Sequence, residues 1–228
     1  MDIQQMLTFG SGPWWLNGIT YSIFTICWVG LYIMAIRRGL KDEVMTIPFV
    51  ALAINMAWDI TGFTIAKGGP EVQALTDGFY YVLQLPLLYL VVKYGWKDFP
   101  RMSKKGFLFW VALSQIAAVI FMVIAMLELG DSVGVKTAYI DTFINGVLFI
   151  ALFYRRDGLE GQTIYIALAK LIGTSQLTLA LFFYPFPGYP NWPLIAPLYI
   201  GIFSLDLIYV ILVYRRAQEM GIDVWKRW

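Results

Sequence analysis

Apolar residues fill the chain in long runs, and polar or charged residues collect in short stretches between them. A helix needs about 20 mostly apolar residues to cross the hydrocarbon core of a bilayer, and seven runs approach or exceed that length. The connections are too short to form a soluble domain, so residues 1–228 are predicted to be one all-α domain, a seven-transmembrane-helix bundle. The predicted spans are 15–36, 46–66, 72–93, 106–128, 137–154, 162–184 and 193–214.

Composition and charge support a membrane protein and set its predicted orientation. Hydrophobic residues make up 59% of the chain and charged residues only 14%, which is too apolar for one soluble core. One set of connections, with the C-terminal tail, carries 14 Lys and Arg, whereas the opposite side has only Lys67 and Lys136. The positive-inside rule therefore predicts an outer N-terminus and a cytoplasmic C-terminus. The expected location is a bacterial inner membrane or the endoplasmic reticulum, with membrane lipid as a partner and no nucleic acid.

The residue types that are absent narrow the chemistry. The chain has no histidine and a single cysteine, Cys27, which excludes Ser-His and Cys-His catalysis, histidine-based zinc sites and an internal disulfide. Proton transfer must then use Asp, Glu, Lys, Tyr or water. The sequence contains no Asp-rich metal motif, so we expect no metal or cofactor, and ionisation of a diphosphate is disfavoured.

Two parts of the sequence resemble each other weakly. Residues 37–53 and 155–169 both contain an Arg-Arg pair, a Gly-Leu pair, Thr-Ile and Ala-Leu-Ala in that order. This similarity suggests a parallel repeat of two three-helix units joined by span four (3+1+3), with a site between the halves. Chance similarity between apolar helices is the alternative.

Ionisable residues inside the spans are the candidates for function, because a charge at mid-bilayer costs about 3 kcal/mol. Asp59 and Asp206 lie deepest. Lys170 lies at a similar depth to Asp206 and is expected either to pair with it or to extend toward the inner surface. Asp77, Glu128 and Asp141 lie near the outer ends of their spans, where solvated helix ends are the simpler interpretation.

Three stretches carry a resemblance to a known family. Residues 48–59 (PFVALAINMAWD), 88–95 (LYLVVKYG) and 205–209 (LDLIY) are similar to segments of the transmembrane terpene cyclases of fungal meroterpenoid and indole-diterpenoid biosynthesis. That family has Asn-x-Ala-Trp-Glu at the end of its second span, where this chain has Asp59 in place of Glu. The resemblance implies a seven-helix fold and cyclisation of a polyprenyl chain, often bearing an epoxide, on an aromatic or indole head.

The resemblance also implies which side chains act. The two carboxyl groups of the family correspond to Asp59 and Asp206. If Lys170 keeps Asp206 ionised, Asp59 is the general acid that starts cyclisation, oriented by Asn55, and Asp206 steadies or deprotonates the cation. The substrate is expected to be a lipophilic prenylated small molecule that enters from the bilayer. The side chains expected to bind it are Asn55, Trp58, Tyr80, Tyr81, Gln84, Phe203 and Tyr209.

Two other functions remain open from the sequence. The 3+1+3 arrangement with an outer N-terminus also describes small carriers of the PQ-loop type, and Gln84-Leu85-Pro86 loosely resembles their kinked helices. In a carrier, Asp59, Asn145 and Lys170 bind a polar solute or a proton. A non-catalytic lipid-binding membrane protein is the third possibility. The sequence does not specify the oligomeric state.

Overall fold

The structure is a computed structural model that describes residues 11–65, 71–185 and 192–228, and these residues form helices without a β-strand. Each predicted span overlaps a helix, although the first helix continues past the predicted end at 36 to Asp42. Lys67, which was assigned to the outer side, lies outside the described residues. The helices are α1 (Trp14–Asp42), α2 (Phe49–Thr64), α3 (Glu71–Tyr94), α4 (Lys104–Glu128), α5 (Val135–Arg155), α6 (Ile164–Phe183) and α7 (Ile195–Glu219), and a short 3-10 helix, Gly95–Asp98, follows α3.

Helix length supports a multi-pass membrane protein. Within the described part of the chain, six helices are long and apolar enough to cross a membrane. Helix α2 has 16 residues, so it extends only about 24 Å at 1.5 Å per residue, less than the ~30 Å hydrocarbon core. It is shorter than the predicted span 46–66 because Pro48 is its N-cap. Proline favours the start of a helix, where its missing N–H needs no partner.

Side chains from the connections cap two other helices. Ser103 precedes α4 and its hydroxyl accepts a hydrogen bond from the backbone N–H of Gly106 at 3.1 Å. Thr163 precedes α6 and accepts one from Ile166 at 3.2 Å. Each hydroxyl satisfies one of the N–H groups that a first helical turn leaves without a partner. These caps fix the residues at which the two helices begin.

Six helices form a closed ring in the order α2, α3, α1, α6, α7, α5, and α5 closes the ring against α2. Helix α4 lies outside the ring and packs mainly on α2. In the first triplet α3 packs on α1 and α2, and in the last triplet α7 packs on α5 and α6. The two triplets therefore share one order of contacts, and they meet through α1 with α6 and α2 with α5.

The two ends of the ring differ in how they are filled. Buried apolar side chains fill the end where α1, α3, α5 and α7 finish and where α2 and α6 begin, with Leu31, Leu52, Leu90, Phe149 and Val213 as representatives. Large apolar side chains on the outside of the bundle, such as Ile26 and Leu127, are about 70% exposed, as expected when lipid rather than water is the surrounding solvent. The opposite end of the ring contains a cavity.

Ion pairs tie the connections together at the filled end. Arg156 donates to Asp98 at 2.5 Å and to the backbone oxygen of Met45 at 2.8 Å. Asp42 accepts from Arg38 at 2.6 Å and from Arg227 at 3.2 Å. These contacts join the ends of α1, α3 and α5 to the C-terminal tail, on the side where most of the basic residues lie.

Candidate active site

The cavity lies between five of the six ring helices, because α7 contributes no described residue to its lining. The connection between α4 and α5 covers part of it through Val133 and Gly134. The wall is mainly aromatic and aliphatic, with a few acidic and amide side chains. The side chains that matter for its chemistry are Tyr21, Phe24, Trp28, Tyr32, Asn55, Trp58, Asp59, Asp77, Tyr80, Tyr139 and Asp141.

Aromatic rings of α1 and α3 form one continuous wall. Tyr80 meets the rings of Phe24 and Tyr32 edge to face, with centroid separations of 6.3 and 6.1 Å. Trp28 packs against Tyr32 at 5.6 Å. On the opposite side the Trp58 indole N–H donates to the backbone oxygen of Gly134 at 3.0 Å, which fixes the plane of that ring. The cavity therefore presents several electron-rich faces in fixed orientations.

Asp59 projects into the cavity from α2 and is only 5% exposed. Its Oδ2 accepts a hydrogen bond from the side-chain amide of Gln84 on α3. Gln84 is fully buried and also lies 3.3 Å from the backbone oxygen of Tyr80. Gln84, rather than the expected Asn55, therefore orients the Asp59 carboxyl group.

Asp141 enters the cavity from α5 and is held by two amides. Asn145, one turn along the same helix, donates to Oδ1 at 2.7 Å. Asn55 on α2 lies beside this pair, and its side-chain oxygen accepts a hydrogen bond from Asn145 at 2.7 Å; exchanging the two ends of the Asn55 amide instead lets its nitrogen donate to Asp141 Oδ2 at 2.9 Å. Asn55 therefore belongs to the Asp141 cluster.

Asp77 is the third acid of the cavity and is 2% exposed. Its Oδ2 has no hydrogen-bond partner among the described residues. The carboxyl group rests on Gly62 of α2, where a Cβ atom would collide with Oδ2. Asp77 and Asp141 are both buried, so the interpretation of these two acids as solvated helix ends is wrong. Glu128, which was interpreted in the same way, is exposed.

Asp206 and Lys170 lie outside the cavity lining. Lys170 on α6 donates to Asp206 Oδ1 on α7, and the two side chains are 0% and 1% exposed. The Lys170 ammonium also lies 5.6 Å from the centre of the Phe149 ring and within electrostatic range of Asp141. Lys170 thus pairs with Asp206 inside the bundle instead of extending to the inner surface.

The structure brings together only part of the predicted substrate-binding set. Asn55, Trp58 and Tyr80 line the cavity with Asp59, whereas Gln84 stands behind Asp59. The remaining predicted residues do not line it: Tyr81 is half-buried elsewhere, Phe203 is 41% exposed on the outside, and Tyr209 is buried against Phe149.

Sequence reasoning missed two kinds of lining residue. The aromatic residues of α1, Tyr21, Phe24 and Trp28, follow one another at helical spacing and form one face. Asp141 lines the cavity and shares a helical face with Asn145, four residues later, which donates to it but does not itself line the cavity. These spacings were visible in the sequence, but which of these faces met across the ring depended on the order of the helices.

The arrangement suits acid-initiated chemistry on an apolar molecule. It holds three carboxyl groups, and no Lys or Arg is among the described residues that line the cavity. An ionised carboxylate without a cationic partner is unfavourable in such surroundings, so a protonated acid is the expected form of at least one of them. The aromatic faces are suited to attract a carbocation.

Comparison with known proteins places the chain in a family. The family model for Pyr4-like transmembrane terpene cyclases matches residues 13–219. The Pyr4-family terpene cyclase mfmH of Annulohypoxylon moriforme is 27% identical over 186 residues, covering 78% of this chain and 74% of that protein. Terpene cyclase ascF of Acremonium egyptiacum is 26% identical over 98 residues, covering 40% of this chain and 35% of that protein.

A third relative, terpene cyclase dpasB of Apiospora sacchari, is 21% identical over 84 residues, covering 37% of this chain and 35% of that protein. No solved structure matches the chain. The family match extends from α1 to the end of α7 and therefore includes every helix that forms the cavity. The resemblance seen in the sequence is confirmed, and the chain belongs to the Pyr4-like transmembrane terpene cyclases, an enzyme family of the membrane.

Proposed function

We propose that this cyclase protonates a lipophilic prenylated substrate in the cavity and guides the resulting carbocation through ring closure. The substrate class is a polyprenyl chain with a terminal epoxide or alkene, joined to an aromatic head. The observation that carries the proposal is the buried Asp59 carboxyl group, which faces a cavity walled by aromatic rings. Family membership favours this function over the carrier and the lipid-binding alternatives.

Asp59 is the proposed general acid. Its described hydrogen-bond donor is a neutral amide, Gln84, and it has Asp77 and Asp141 as electrostatic neighbours. No charge partner on the cavity wall compensates an Asp59 carboxylate, so the protonated form is favoured until a substrate takes the proton. A carboxylic acid held in this way donates its proton to the epoxide oxygen. A C–O bond of the epoxide then breaks and leaves a carbocation at that carbon.

The cavity walls stabilise the cation that follows. Rings such as Trp28, Tyr80 and Trp58 attract a cation over their faces by about 2 kcal/mol when water is excluded. Because these rings are fixed by neighbouring rings or by a hydrogen bond, they also fold the prenyl chain before it reacts. The shape of the wall thereby selects which carbon atoms join.

We propose that Asp206 does not act on the cation, which is the role that the sequence analysis gave it. It contacts Lys170 and does not line the cavity, so we assign it a positioning role. The Lys170–Asp206 pair sets the charge next to Asp141, whose carboxyl group does face the substrate. Asp206 therefore acts through other side chains and not on the reacting atoms.

The proposed topology has seven spans, an outer N-terminus and the parallel 3+1+3 repeat. The basic residues at the filled end of the ring support the orientation, and the shared order of helix contacts in the two triplets supports the repeat. In this topology α2 spans the membrane together with its flanking residues. The cavity then opens in the outer half of the bilayer.

A labelling experiment tests the orientation. After Cys27→Ser, single cysteines at the exposed positions Ser11 and Glu128 are expected to react with an impermeant maleimide from the outer side of sealed vesicles. Cysteines at the exposed positions Arg101 and Lys226 are expected to react only after the membrane is permeabilised. Labelling of Arg101→Cys and Lys226→Cys from opposite sides contradicts the proposed topology.

Turnover by the wild-type chain tests the proposed reaction. Membranes containing it are incubated with a panel of prenylated aromatic compounds that carry or lack a terminal epoxide. We expect at least one epoxide to give a cyclised alcohol of unchanged mass, detected by liquid chromatography and mass spectrometry. Membranes without the chain are the control, and a panel that gives no cyclised product contradicts the proposal.

A further inference from the structure

The proposed reaction requires a second acid–base group. Protonation of an epoxide oxygen leaves the acid as a carboxylate, and the last cation must lose a proton from carbon to give a neutral product. The reaction consumes no proton overall, so the proton released from carbon has to return to the first acid before the next turnover. This step rests on the proposed function and asks which side chain of the cavity receives that proton.

Asp141 is poorly suited to the task. Asn145 donates to its Oδ1 at 2.7 Å, the Asn55 amide lies against its Oδ2, and Lys170 lies within electrostatic range. Hydrogen bonds to a carboxylate favour its charged form and make it a weaker base. Asp141 is therefore a weaker proton acceptor than a carboxyl oxygen in the same cavity that has no donor.

Asp77 has the complementary properties. Its Oδ2 is buried without a hydrogen-bond partner among the described residues, and its carboxyl group lines the cavity. Of the three acids on the described wall of the cavity, Asp77 is the one with a fully buried carboxyl oxygen that lacks a partner, so this oxygen is available to accept a proton. When Asp77 accepts a proton it becomes a neutral carboxylic acid, which is the form that an apolar cavity accommodates at lower cost.

Gly62 brings Asp77 next to Asp59. The Asp77 carboxyl group occupies the space where a side chain at Gly62 would stand, and Gly62 follows Asp59 by three residues on α2. Positions three apart on a helix have neighbouring side chains, about 5–6 Å apart at Cβ. The two carboxyl groups are therefore neighbours on one helical face, in agreement with the electrostatic interaction between them.

We propose that Asp59 and Asp77 work as a pair that holds one proton. Two adjacent carboxyl groups do not readily ionise together, so we infer that they share one proton, and the state that starts the reaction has Asp59 protonated and Asp77 ionised. Asp59 gives its proton to the epoxide oxygen, where the C–O bond breaks. The new C–C bonds form, one C–H bond breaks, and Asp77 accepts that proton. Transfer from Asp77 to Asp59 then restores the starting state, and nothing is oxidised or reduced.

Asp77→Asn is the direct test. The amide keeps the size of the side chain but accepts no proton from carbon, so the last cation must end by another route. We expect a changed product mixture, with water-trapped alcohols or displaced alkenes, and a fall in steady-state turnover of about 100-fold or more. The first turnover, measured with enzyme in excess, should still consume substrate because Asp59 starts the reaction.

A second variant keeps all three acids and changes only the position of the Asp77 carboxyl group relative to Asp59. Gly62→Ala places a methyl group against Asp77 Oδ2, so the carboxyl group must turn away from its place beside Asp59. We expect the product mixture to shift in the same direction as in Asp77→Asn, but less. Gly30→Ala on α1 is the matched control, because its nearest atom beyond the helix backbone is 3.9 Å from the new methyl group.

The outcomes separate the two proposals. A silent wild-type chain removes the proposed function itself. An active wild-type chain whose Asp77→Asn variant forms the same products, at any rate, overturns the pairing of Asp59 with Asp77, because a merely structural Asp77 changes yield and not product identity. A changed mixture in Asp77→Asn and Gly62→Ala, with wild-type products from Gly30→Ala, supports it.

Discussion

Asp59→Asn is expected to abolish cyclisation while the protein still folds. The amide has the same shape as the acid and still contacts Gln84, but it has no proton to give to the substrate. Loss of a general acid costs about 10²- to 10⁴-fold in rate, and neither Asp77 nor Asp141 occupies the position beside Gln84 from which Asp59 donates. The measurement is product formation per molecule of folded enzyme, with thermal unfolding in detergent as the check on folding.

Two variants bracket this result. Asp59→Glu keeps the acid and restores the residue of the resembled family, so measurable turnover is expected even if one additional methylene group changes the rate. Asp223→Asn is the matched control, because this acid lies near the C-terminus with its side chain 49% exposed and outside the cavity. Full turnover by Asp59→Asn removes Asp59 from the role of general acid.

The sequence predicted the helices well because each one depends on local information. A run of about 20 apolar residues is sufficient to identify a span, and proline and hydroxyl residues mark the starts of helices. The exceptions are at helix ends: α1 continues to Asp42 instead of ending at 36, and α2 begins at Phe49, after Pro48. The family could also be recognised, since the run from Asn55 to Asp59 carries a side-chain pattern and not only a hydrophobic one.

The site was harder to predict because it depends on the order of the helices around the ring. Position along a helix gives the depth of a carboxyl group, and on that basis Asp59 and Asp206 were both placed deep in the bundle. Depth does not say which neighbour a side chain faces, so the contact of Asp206 with Lys170 and its absence from the cavity lining required the packing of α6 on α7.

Asp77 and Asp141 line the cavity, although the sequence placed them outside the site. Both lie near helix ends, where contact with water is the usual expectation. The connection after α4 folds over this end and contributes Val133 and Gly134 to the cavity, so the two carboxyl groups are buried. Nothing in the hydrophobic pattern reveals where a short connection lies, which is why the cavity was richer in acids than the sequence indicated.

The second large effect is expected for Lys170→Met. Lys170 and Asp206 are buried together between α6 and α7, and methionine fills similar space without a charge. The variant leaves the Asp206 carboxyl group without its cation, and breaking a buried ion pair from one side costs about 3–5 kcal/mol. We therefore expect a clear decrease in the thermal unfolding temperature and in the yield of folded protein in detergent.

A double variant shows whether this loss comes from the stranded carboxyl group. Replacing both partners by apolar residues of similar volume is often neutral, so Lys170→Met combined with Asp206→Leu should recover most of the unfolding temperature. The double variant still lacks the positive charge near Asp141, so turnover should stay low after stability returns. Recovery of both properties would make Lys170–Asp206 a purely structural pair, and an unchanged unfolding temperature in Lys170→Met would mean that the pair contributes nothing to the packing of α6 on α7.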